Sequence, residues 1–282
     1  MSSIRLATWN VNSLKVRLPH LLKWLEDCDQ RGAPIDLIGL QELKLTDDKF
    51  PQEELEKAGY LSLFMGQKTY NGVAIVIKKS ALAPLHQDPE TAFVQVQYNL
   101  PDFVDEQKRL LATTIHFKET EPIRVMCGYF PNGQAPGTEK FAYKLAWLSS
   151  LENFLLQEMQ THPRLVLMGD FNIAPRDNDV HDPAAWMGQN LVSEEERAFF
   201  HRFEQMGLID SFRLFEQAPK TFSWWDYRMM GFRRNAGVRI DHHLISPALK
   251  EHCVSCIVDK EPRKWEQPSD HAPVVMTLQK SI

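Results

Sequence analysis

The sequence is poor in several features that mark whole classes of protein. Its four cysteines, Cys28, Cys127, Cys253 and Cys256, are too few for a fold held together by disulfides. No apolar run approaches the roughly 18 residues that a membrane-spanning helix needs. The first residues of the chain also lack the apolar stretch of a signal peptide. We therefore expect reduced thiols, a cytoplasmic location and no association with a membrane.

An excess of positive charge is also lacking. The chain has 32 basic and 37 acidic residues, which gives a net charge of -5. A protein of this charge can bind nucleic acid only through a local basic patch or a bound metal ion. Hydrophobic residues make up 43% and charged residues 24% of the 282 residues, as in an ordinary globular protein. Because there is no repeat, linker or low-complexity segment, we expect one domain over residues 1–282.

Short apolar runs outnumber helical patterns, and their order predicts the fold class. Helical periodicity occurs in residues 18–25 and 148–159, and a capping box of Ser193 and Glu196 begins a third helix that ends near Gly207. The order excludes a doubly wound parallel sheet, because several strands and no clear helix occupy residues 61–129. We predict an α+β fold of two packed sheets with helices outside. The predicted strands are 4–9, 35–40, 73–77, 93–96, 110–115, 123–129, 165–168, 238–245, 254–258 and 274–278.

Polar side chains stand where several of these predicted strands end. Asn10, Glu42 and Asp170 each follow an apolar run, and Asp270 and His271 precede the last one. A carboxylate at the end of a buried strand must reach solvent, pair with a cation or bind a metal, because an unpaired buried charge is too costly. Each residue alone is more often a turn or cap residue. The prediction of a site therefore depends on the whole set converging at one edge of the sheets.

The chemistry of this set suits phosphodiester hydrolysis. Carboxylate and amide oxygens are ligands for Mg²⁺ or Mn²⁺ rather than Zn²⁺. A metal ion polarises a phosphoryl oxygen, and a carboxylate or an oriented imidazole can activate water. The ligands predicted on this basis are Glu42, Asp170, Asn172 and Asp270, with Asn10 as a further candidate, and the neighbouring groups are an Asp241–His271 pair and Tyr129.

Seven segments of the chain together resemble the exonuclease III/AP endonuclease family. They are TWNVNSL at 8–14, LQELK at 40–44, GYFPNG at 128–133, GDFNIAP at 169–175, FSWWDYR at 222–228, RID at 239–241 and SDHAP at 269–273. The resemblance implies a four-layer α/β/β/α sandwich of two mixed sheets. It implies a Mg²⁺-dependent nuclease of base-excision repair that acts as a 3′-5′ exonuclease on duplex DNA. AP endonuclease and 3′-phosphodiesterase activities belong to the same expectation, with abasic sites and recessed or blocked 3′ ends as substrates.

The resemblance also assigns roles within the catalytic set. It implies that Glu42 is the principal metal ligand, with Asn10 in support and Asp270 beside the metal. Asp170 activates or orients the attacking water, and Asn172 holds the phosphate. The other implied roles are an Asp241 carboxylate that orients His271 and a Tyr129 phenol that contacts the phosphate or assists the leaving group. We count Asp170, Asn172 and His271 among the candidate ligands of Mg²⁺, for which Mn²⁺ can substitute. The number of metals, the identity of the general base and the oligomeric state stay open, with a monomer as the default.

Three positions depart from the family's pattern. Leu43 stands where close bacterial members have Thr, and Asn132 where they have Gln. Leu191 replaces a small residue that borders the pocket for a flipped sugar in efficient AP endonucleases. A bulky side chain there favours 3′-end hydrolysis over incision at abasic sites.

Residues 213–239 are the best candidate for a DNA-binding segment. They carry six Lys and Arg against two acidic residues, interleaved with six aromatic residues, about half of which we expect in the core. Trp224 is predicted to form the wall of the nucleotide pocket, and Arg228 to contact the backbone. Weaker candidates for DNA contacts are Lys44, Lys68, Tyr70, Asn71, Arg109, Asn132 and Leu191.

Two other functions and one other metal site are considered as alternatives. The same superfold can act on a small or lipid phosphoester such as an inositol phosphate, because a fold does not determine its substrate. A non-catalytic DNA-binding protein is disfavoured, because none of the metal- and water-handling residues is missing. A zinc site of Cys253 and Cys256 with His242 and His243 is rejected, because a single CxxC lacks a second paired motif.

Overall fold

The structure is a computed structural model that describes residues 3–280; the ends of the predicted domain at 1–2 and 281–282 lie outside the described residues. Its strands are β1 Ser3–Asn10, β2 Leu37–Gln41, β3 Tyr60–Met65, β4 Val73–Lys78, β5 Val94–Tyr98, β6 Leu110–Ile115, β7 Ile123–Tyr129, β8 Leu165–Asp170, β9 Ile209–Asp210, β10 Trp224–Trp225, β11 Gly237–Val238, β12 Asp241–Ile245, β13 Cys253–Val258 and β14 Val274–Gln279. Its α-helices are α1 Leu14–Gln30, α2 Gln52–Lys57, α3 Pro89–Ala92, α4 Glu139–Thr161, α5 Pro183–Trp186 and α6 Glu194–Gln205.

Two six-stranded mixed sheets pack face to face. One has the order β13-β14-β1-β2-β4-β3 and the other β5-β6-β7-β8-β12-β9. A continuous apolar cluster contains residues of both sheets, including Leu6, Ile75, Val125 and Val166. Separate clusters join α1 to the outer face of the first sheet, and α4 and α6 to the outer face of the second. The predicted four-layer sandwich is confirmed, and one domain over residues 1–282 stays a prediction.

Each sheet contains one parallel pair of strands, and these pairs create the functional edge. β1 is parallel to β2 and β7 is parallel to β8, with α1 and α4 as the respective connections. Parallel strands end at the same edge, so β1 and β7 end at Asn10 and Tyr129 beside the ends of β2 and β8. β12 runs antiparallel to β8, which places its first residue, Asp241, opposite Asp170. β14 runs antiparallel to β1, so His271, shortly before β14, returns to the same edge.

The three predicted helices are present, and the third begins at its predicted capping box. The apolar residues of the two periodic segments face the sheets, with Leu21 and Leu25 buried in α1 and Leu148 and Leu151 in α4. At the start of α6 the Ser193 hydroxyl accepts a hydrogen bond from the backbone N–H of Glu196. The Glu196 carboxylate in turn accepts one from the backbone N–H of Ser193. The capping box is therefore formed in both directions.

The strand prediction was wrong at 238–245 and omitted three strands, β3 and the two-residue strands β9 and β10. The predicted strand 238–245 is divided into β11 and β12. The backbone at this break does not continue the strand, because the N–H groups of Ile240 and Asp241 both donate to the Ser223 hydroxyl. β3 was not among the predicted strands, although Leu61, Leu63 and Met65 alternate along it and pack against the core between the sheets. No helix within residues 3–280 is long and apolar enough to cross a membrane.

Gly169 gives a direct test of the close approach between β7 and β8. It has φ 151° and lies opposite Gly128, and an added Cβ would lie 1.9 Å from the Gly128 carbonyl oxygen. Because both groups belong to hydrogen-bonded backbone, neither can move aside. We expect Gly169→Ala to lower the free energy of unfolding by about 3 kcal/mol or more, measured by urea denaturation.

Gly32→Ala is the matched control. Gly32 also has positive φ, at 69°, but an added Cβ would have no neighbour within 4 Å. Its substitution should cost only the backbone strain, about 1–2 kcal/mol. Equal losses in the two variants would contradict the argument from close approach.

Candidate active site

Asn10 joins the two sheets at the functional edge. Its side chain is fully buried, and its Nδ2 donates to Glu42 Oε1 at 2.8 Å and to Asp170 Oδ2 at 2.9 Å. Its Oδ1 accepts from the backbone N–H of Asn12 at 3.0 Å, which fixes the orientation of the amide. One buried side chain therefore aims a carboxylate of the first sheet and a carboxylate of the second at the same space.

An oriented imidazole lies on the other side of Asp170. His271 Nδ1 donates to Asp241, with distances of 2.9 and 3.1 Å to the two carboxylate oxygens. Its Nε2 lies 3.7 Å from Asp170 Oδ2. All three side chains are almost entirely buried. The predicted pairing of Asp241 with His271 is present in the structure, and it points Nε2 at Asp170.

Burial and the neighbouring charges determine the pKa values of Asp170 and His271. Burial raises the pKa of Asp170 to about 7, and the His271 charge opposes that rise without cancelling it. Burial lowers the pKa of His271, but the carboxylates of Asp241 and Asp170 outweigh it and raise that pKa to about 10. At neutral pH the imidazole is therefore a cation, and the Asp170 carboxylate is close to its own titration point.

Tyr129 approaches the same space from the end of β7. Burial raises its pKa well above the ordinary value, and the neighbouring charge and hydrogen bond of Glu42 raise it further. The Arg109 guanidinium lies 5.2 Å from the centre of the Tyr129 ring and donates to the Tyr129 carbonyl oxygen at 3.2 Å. It also donates to the Tyr143 hydroxyl at 3.1 Å. Arg109, predicted as a DNA contact, is 7% exposed, and its contacts hold the ring and backbone of Tyr129 in place.

Asn172 and Asn132 form the next layer of the site. The backbone N–H of Asn172 donates to Asp170 Oδ1 at 2.9 Å, and its side-chain Nδ2 donates to the Phe130 carbonyl at 3.1 Å. Asn132 Nδ2 donates to Asn172 Oδ1 at 3.0 Å. Asn172 has φ 49°, a conformation that Asn tolerates better than most residues. The strand end thus turns sharply, and the Asn172 side chain stays beside Asp170.

Asp270 lies beside this group and is held by other partners. Its Oδ1 accepts from Asn12 Nδ2 at 2.9 Å and its Oδ2 from Trp224 Nε1 at 2.9 Å. Trp224 also forms an antiparallel bridge with His271. The Asp270 carboxylate therefore connects the predicted wall of the nucleotide pocket to the catalytic edge, and its role as a metal ligand stays a prediction.

Within residues 3–280, one group of three acidic or imidazole side chains is arranged to hold a metal ion. Glu42, Asp170 and His271 each offer a ligand atom, and these atoms lie within 4.8 Å of one another. Glu42 and Asp170 supply carboxylate oxygens, whereas the protonated His271 imidazole has no free lone pair on Nε2 and lies beside these donors as a cation. The Asn172 amide oxygen accepts from Asn132 Nδ2, and its role as a metal ligand stays a prediction. This donor set fits a hard divalent cation such as Mg²⁺. The CxxC motif is in no such group, and all four cysteines of the chain are free and buried.

Two clefts open at this edge and contain most of the predicted DNA contacts. One, of about 680 Å³, is lined by Tyr70, Asn71, Arg109, Tyr129 and Asn132, together with seven other residues. The other, of about 510 Å³, is lined by residues that include Trp186, Trp224, Arg228 and Met229. Tyr70 is 68% exposed, whereas Asn71 is 5% exposed. Lys68 is exposed, and Lys44 Nζ lies 2.8 Å from Glu42 Oε2.

The charge of segment 213–239 was overestimated as a DNA-binding patch. Arg239 is fully buried in ion pairs with Asp179 and Asp210, and Arg213 also pairs with Asp179. Of the other cations, Lys220, Arg228, Arg233 and Arg234 are exposed. Four rather than six cations of this segment are therefore available to a phosphate backbone. Among its aromatic residues, Phe222 and Trp225 are core, whereas Trp224 is partly and Tyr227 half exposed.

Sequence reasoning missed three residues that hold the site together. Asn12 bonds Asp270, as described above, and the Ser223 hydroxyl accepts from the N–H groups that flank the start of β12. The Ser269 hydroxyl donates to the Asn10 carbonyl at 2.7 Å and accepts from the His271 N–H at 3.2 Å. All three lie inside the recognised segments, so their position next to the candidate residues was the available signal.

Comparison with known proteins agrees with this geometry. A model of the Endonuclease/Exonuclease/phosphatase family matches residues 7–271. The chain is 37% identical to exodeoxyribonuclease III of Haemophilus influenzae, over 96% of this chain and 98% of that protein. It is 41% identical to the solved 3′-5′ exonuclease NExo of Neisseria meningitidis, over 98% and 100% of the two chains, with a TM-score of 0.88. An AP endonuclease from Archaeoglobus fulgidus is 31% identical over 98% and 99%, with a TM-score of 0.86.

The chain belongs to the Endonuclease/Exonuclease/phosphatase family. The resemblance to exonuclease III and AP endonucleases, stated from the sequence, is confirmed. The enzyme class expected from it, an exodeoxyribonuclease-type hydrolase, is supported by relatives matched along almost their full length. Members of this family are metal-dependent, and the carboxylate and imidazole group described above is where a metal would bind in this chain.

The raised pKa of His271 predicts how stability depends on pH. Its pKa is 6.5 ordinarily and about 10 in the folded protein. The stabilisation from the proton on His271 is therefore complete below pH 6.5 and is lost as the pH rises through 10. In EDTA, and with Asp170→Asn in both proteins so that the coupled carboxylate does not titrate, the free energy of unfolding should fall more steeply with His271 present than with His271→Gln, by at most about 1.4 kcal/mol per pH unit. Urea denaturation between pH 6 and 10 measures this, and parallel profiles would contradict it.

Proposed function

We propose that this enzyme is a Mg²⁺-dependent DNA repair nuclease that hydrolyses phosphodiester bonds at 3′ ends of duplex DNA. The observation that carries the proposal is the convergence of Glu42, Asp170 and His271 within 4.8 Å at the edge where the parallel strands of both sheets end. Mn²⁺ is expected to substitute for Mg²⁺, because it prefers similar oxygen ligands. The relatives named above, an exodeoxyribonuclease, a 3′-5′ exonuclease and an AP endonuclease, support DNA as the substrate.

The arrangement divides the chemistry among its residues. Glu42 and Asp170 would hold the metal, with Asn10 orienting both, and the bound ion supplies polarisation of a phosphoryl oxygen. The Asp170 carboxylate lies 3.7 Å from His271 Nε2 and beside the proposed metal position, where it can accept a proton from the attacking water. The His271 cation can donate from Nε2 to a phosphate oxygen and stabilise the charge that develops there. This assignment favours Asp170 over His271 as the general base.

The DNA would lie across the edge that carries both clefts. Asn132 and Asn172 offer amide groups next to Asp170, and Trp224 presents a partly exposed ring beside them. Lys220, Arg228, Arg233 and Arg234 would contact the phosphate backbone. This local patch is what a chain of net charge -5 requires to bind a polyanion.

Leu191 lies where it can affect the balance between 3′-end hydrolysis and incision at abasic sites. Its side chain is 5% exposed and belongs to an apolar cluster against which Trp186 and Trp224 pack. A bulky group at this position fills the space next to the pocket wall. We therefore propose that 3′-end hydrolysis, as an exonuclease and 3′-phosphodiesterase, exceeds incision at abasic sites. We also propose a monomeric, single-domain enzyme of the cytoplasm, where the free cysteines stay reduced.

Metal removal tests the proposed chemistry. EDTA should abolish hydrolysis of a duplex with a recessed 3′ end, and excess Mg²⁺ should restore it. At saturating Mg²⁺, Asp170→Asn should lower kcat by about 10²–10⁴-fold, because the variant side chain cannot accept the proton from water. Soluble phosphoesters, including an inositol phosphate, serve as the comparison panel. Full activity of Asp170→Asn, or faster turnover of a soluble phosphoester than of DNA, would refute the proposal.

Leu191→Gly tests the substrate balance. Leu191 has φ 73°, which glycine adopts without strain, and the smaller residue opens the space beside Trp224. We expect incision at an abasic analogue to rise about tenfold or more relative to 3′-end hydrolysis. Val192→Ala, which removes a neighbouring buried side chain of the same cluster, is the control and should leave the ratio unchanged. No gain in Leu191→Gly would count against the pocket argument.

A further inference from the structure

A fully buried ion pair lies behind the catalytic edge, where the chemistry described above does not use it. Lys144 on α4 and Glu196 on α6 are both 0% exposed, and the Lys144 ammonium donates to Glu196 Oε1. Lys and Glu are almost never fully buried without a partner. The pair connects the two helices that cover the outer face of the second sheet.

The lysine reaches two loops of the site. In addition to Glu196, its Nζ donates to the Asn172 carbonyl oxygen at 2.7 Å and to the Asn132 carbonyl oxygen at 3.2 Å. These are the residues whose side chains bond each other beside Asp170. All three donors of the ammonium group thus have acceptors, two of them on backbone that presents the candidate phosphate-binding amides.

The glutamate reaches a third loop. Glu196 Oε1 also accepts from the backbone N–H of Leu191 at 3.1 Å, and Oε2 accepts from that of Ser193 at 3.1 Å. The Leu191 carbonyl accepts from the Ala174 N–H at 2.7 Å, two residues beyond Asn172. Both polar groups of the Leu191 backbone are therefore bonded, although its φ of 73° is unfavourable for Leu.

Stability alone is a weak reason for such a pair. Burying two charges costs several kcal/mol per ion, and well-packed apolar residues of similar size often give a protein of equal or greater stability. The ion pair makes directed hydrogen bonds to three separate loops, which apolar side chains cannot do. Its geometry therefore points to positioning.

We propose that the Lys144–Glu196 pair is a positioning device that fixes Leu191, Asn132 and Asn172 relative to one another and thereby sets the balance between 3′-end and abasic-site hydrolysis. The second half of this statement rests on the proposed nuclease function. Neither residue touches substrate: each acts through the backbone of residues that line the site. Leu191 excludes an abasic sugar only while its backbone stays in place. The Glu196 carboxylate holds that backbone by accepting from the Leu191 N–H.

Hydrogen exchange of the wild-type protein tests the first half without any activity assay. If Glu196 fixes the loop, the Leu191 amide should exchange within about tenfold of the slow amides of β8, because it opens only with a large part of the fold. Exchange of Leu191 more than about 100-fold faster than β8 would overturn the proposal.

The double variant Lys144→Met with Glu196→Leu tests the second half. It removes both charges together and replaces them with apolar side chains of similar size, so no charge is left buried and unpaired. We expect faster exchange at Leu191, a fall in kcat on recessed 3′ ends of about 10–100-fold, and a higher ratio of abasic incision to 3′-end hydrolysis.

The matched control is a second ion pair that also involves α4. Arg124 and Glu158 are 3% and 13% exposed and lie at the opposite end of β7 and α4 from the site. Arg124→Met with Glu158→Leu should leave both the substrate ratio and the exchange of Leu191 unchanged. A folded Lys144–Glu196 variant with a substrate ratio within about twofold of the wild type, or a control variant that shifts the ratio equally, would refute the proposal.

The nuclease function and the positioning role can be refuted separately. If the wild type hydrolyses neither DNA substrate, the proposed function is wrong, whatever the exchange data show. If the wild type is an active nuclease but Leu191 exchanges freely, or the ratio does not respond to the double variant, the nuclease stands and the positioning role is refuted.

Discussion

The active edge depends on one buried amide. Asn10 donates to Glu42 from the first sheet and to Asp170 from the second, so a single side chain brings together carboxylates whose mutual repulsion would otherwise separate them. An amide can do this because it supplies two donors without adding charge. The Asp241–His271 pair completes the arrangement by placing a cation beside Asp170. The proton affinities of the site follow from this packing rather than from the intrinsic properties of the residues.

Behind this edge, buried charges bind the loops to the scaffold. Lys144 bonds the backbone of Asn132 and Asn172. Arg239, two residues before Asp241, is a second buried cation with such a role. It forms an ion pair with Asp210 and donates to His242 Nδ1 at 2.9 Å. That bond makes Nδ1 an acceptor, so His242 Nε2 carries the proton and donates to the Ile173 carbonyl at 2.9 Å. Irregular loops after strands are thus held by charge-assisted bonds, as the precision of a catalytic site requires.

Much of the fold could be predicted because its signals are local. β6 and β7 were predicted with their observed bounds, and the capping box of Ser193 and Glu196 marked the start of α6. The prediction was wrong at 238–245, because the hydroxyl of Ser223, distant in sequence, takes the backbone N–H groups that would have continued the strand. It also counted Arg239 in the charge of the DNA-binding segment, since nothing in that segment shows that Asp179 and Asp210 enclose it.

The family, the four layers and the identity of the residues at the edge could all be predicted from the sequence, because the recognised segments are short and contain the reactive groups directly. Which of these residues face one another follows from how the folded chain packs: Asn10 bridges two sheets, Arg109 packs against the Tyr129 ring, and Lys144 and Glu196 connect three loops. The physical reason is that a buried polar group must find its partners wherever the packing of the chain places them. Those partners are tens to hundreds of residues away, so no local pattern encodes them.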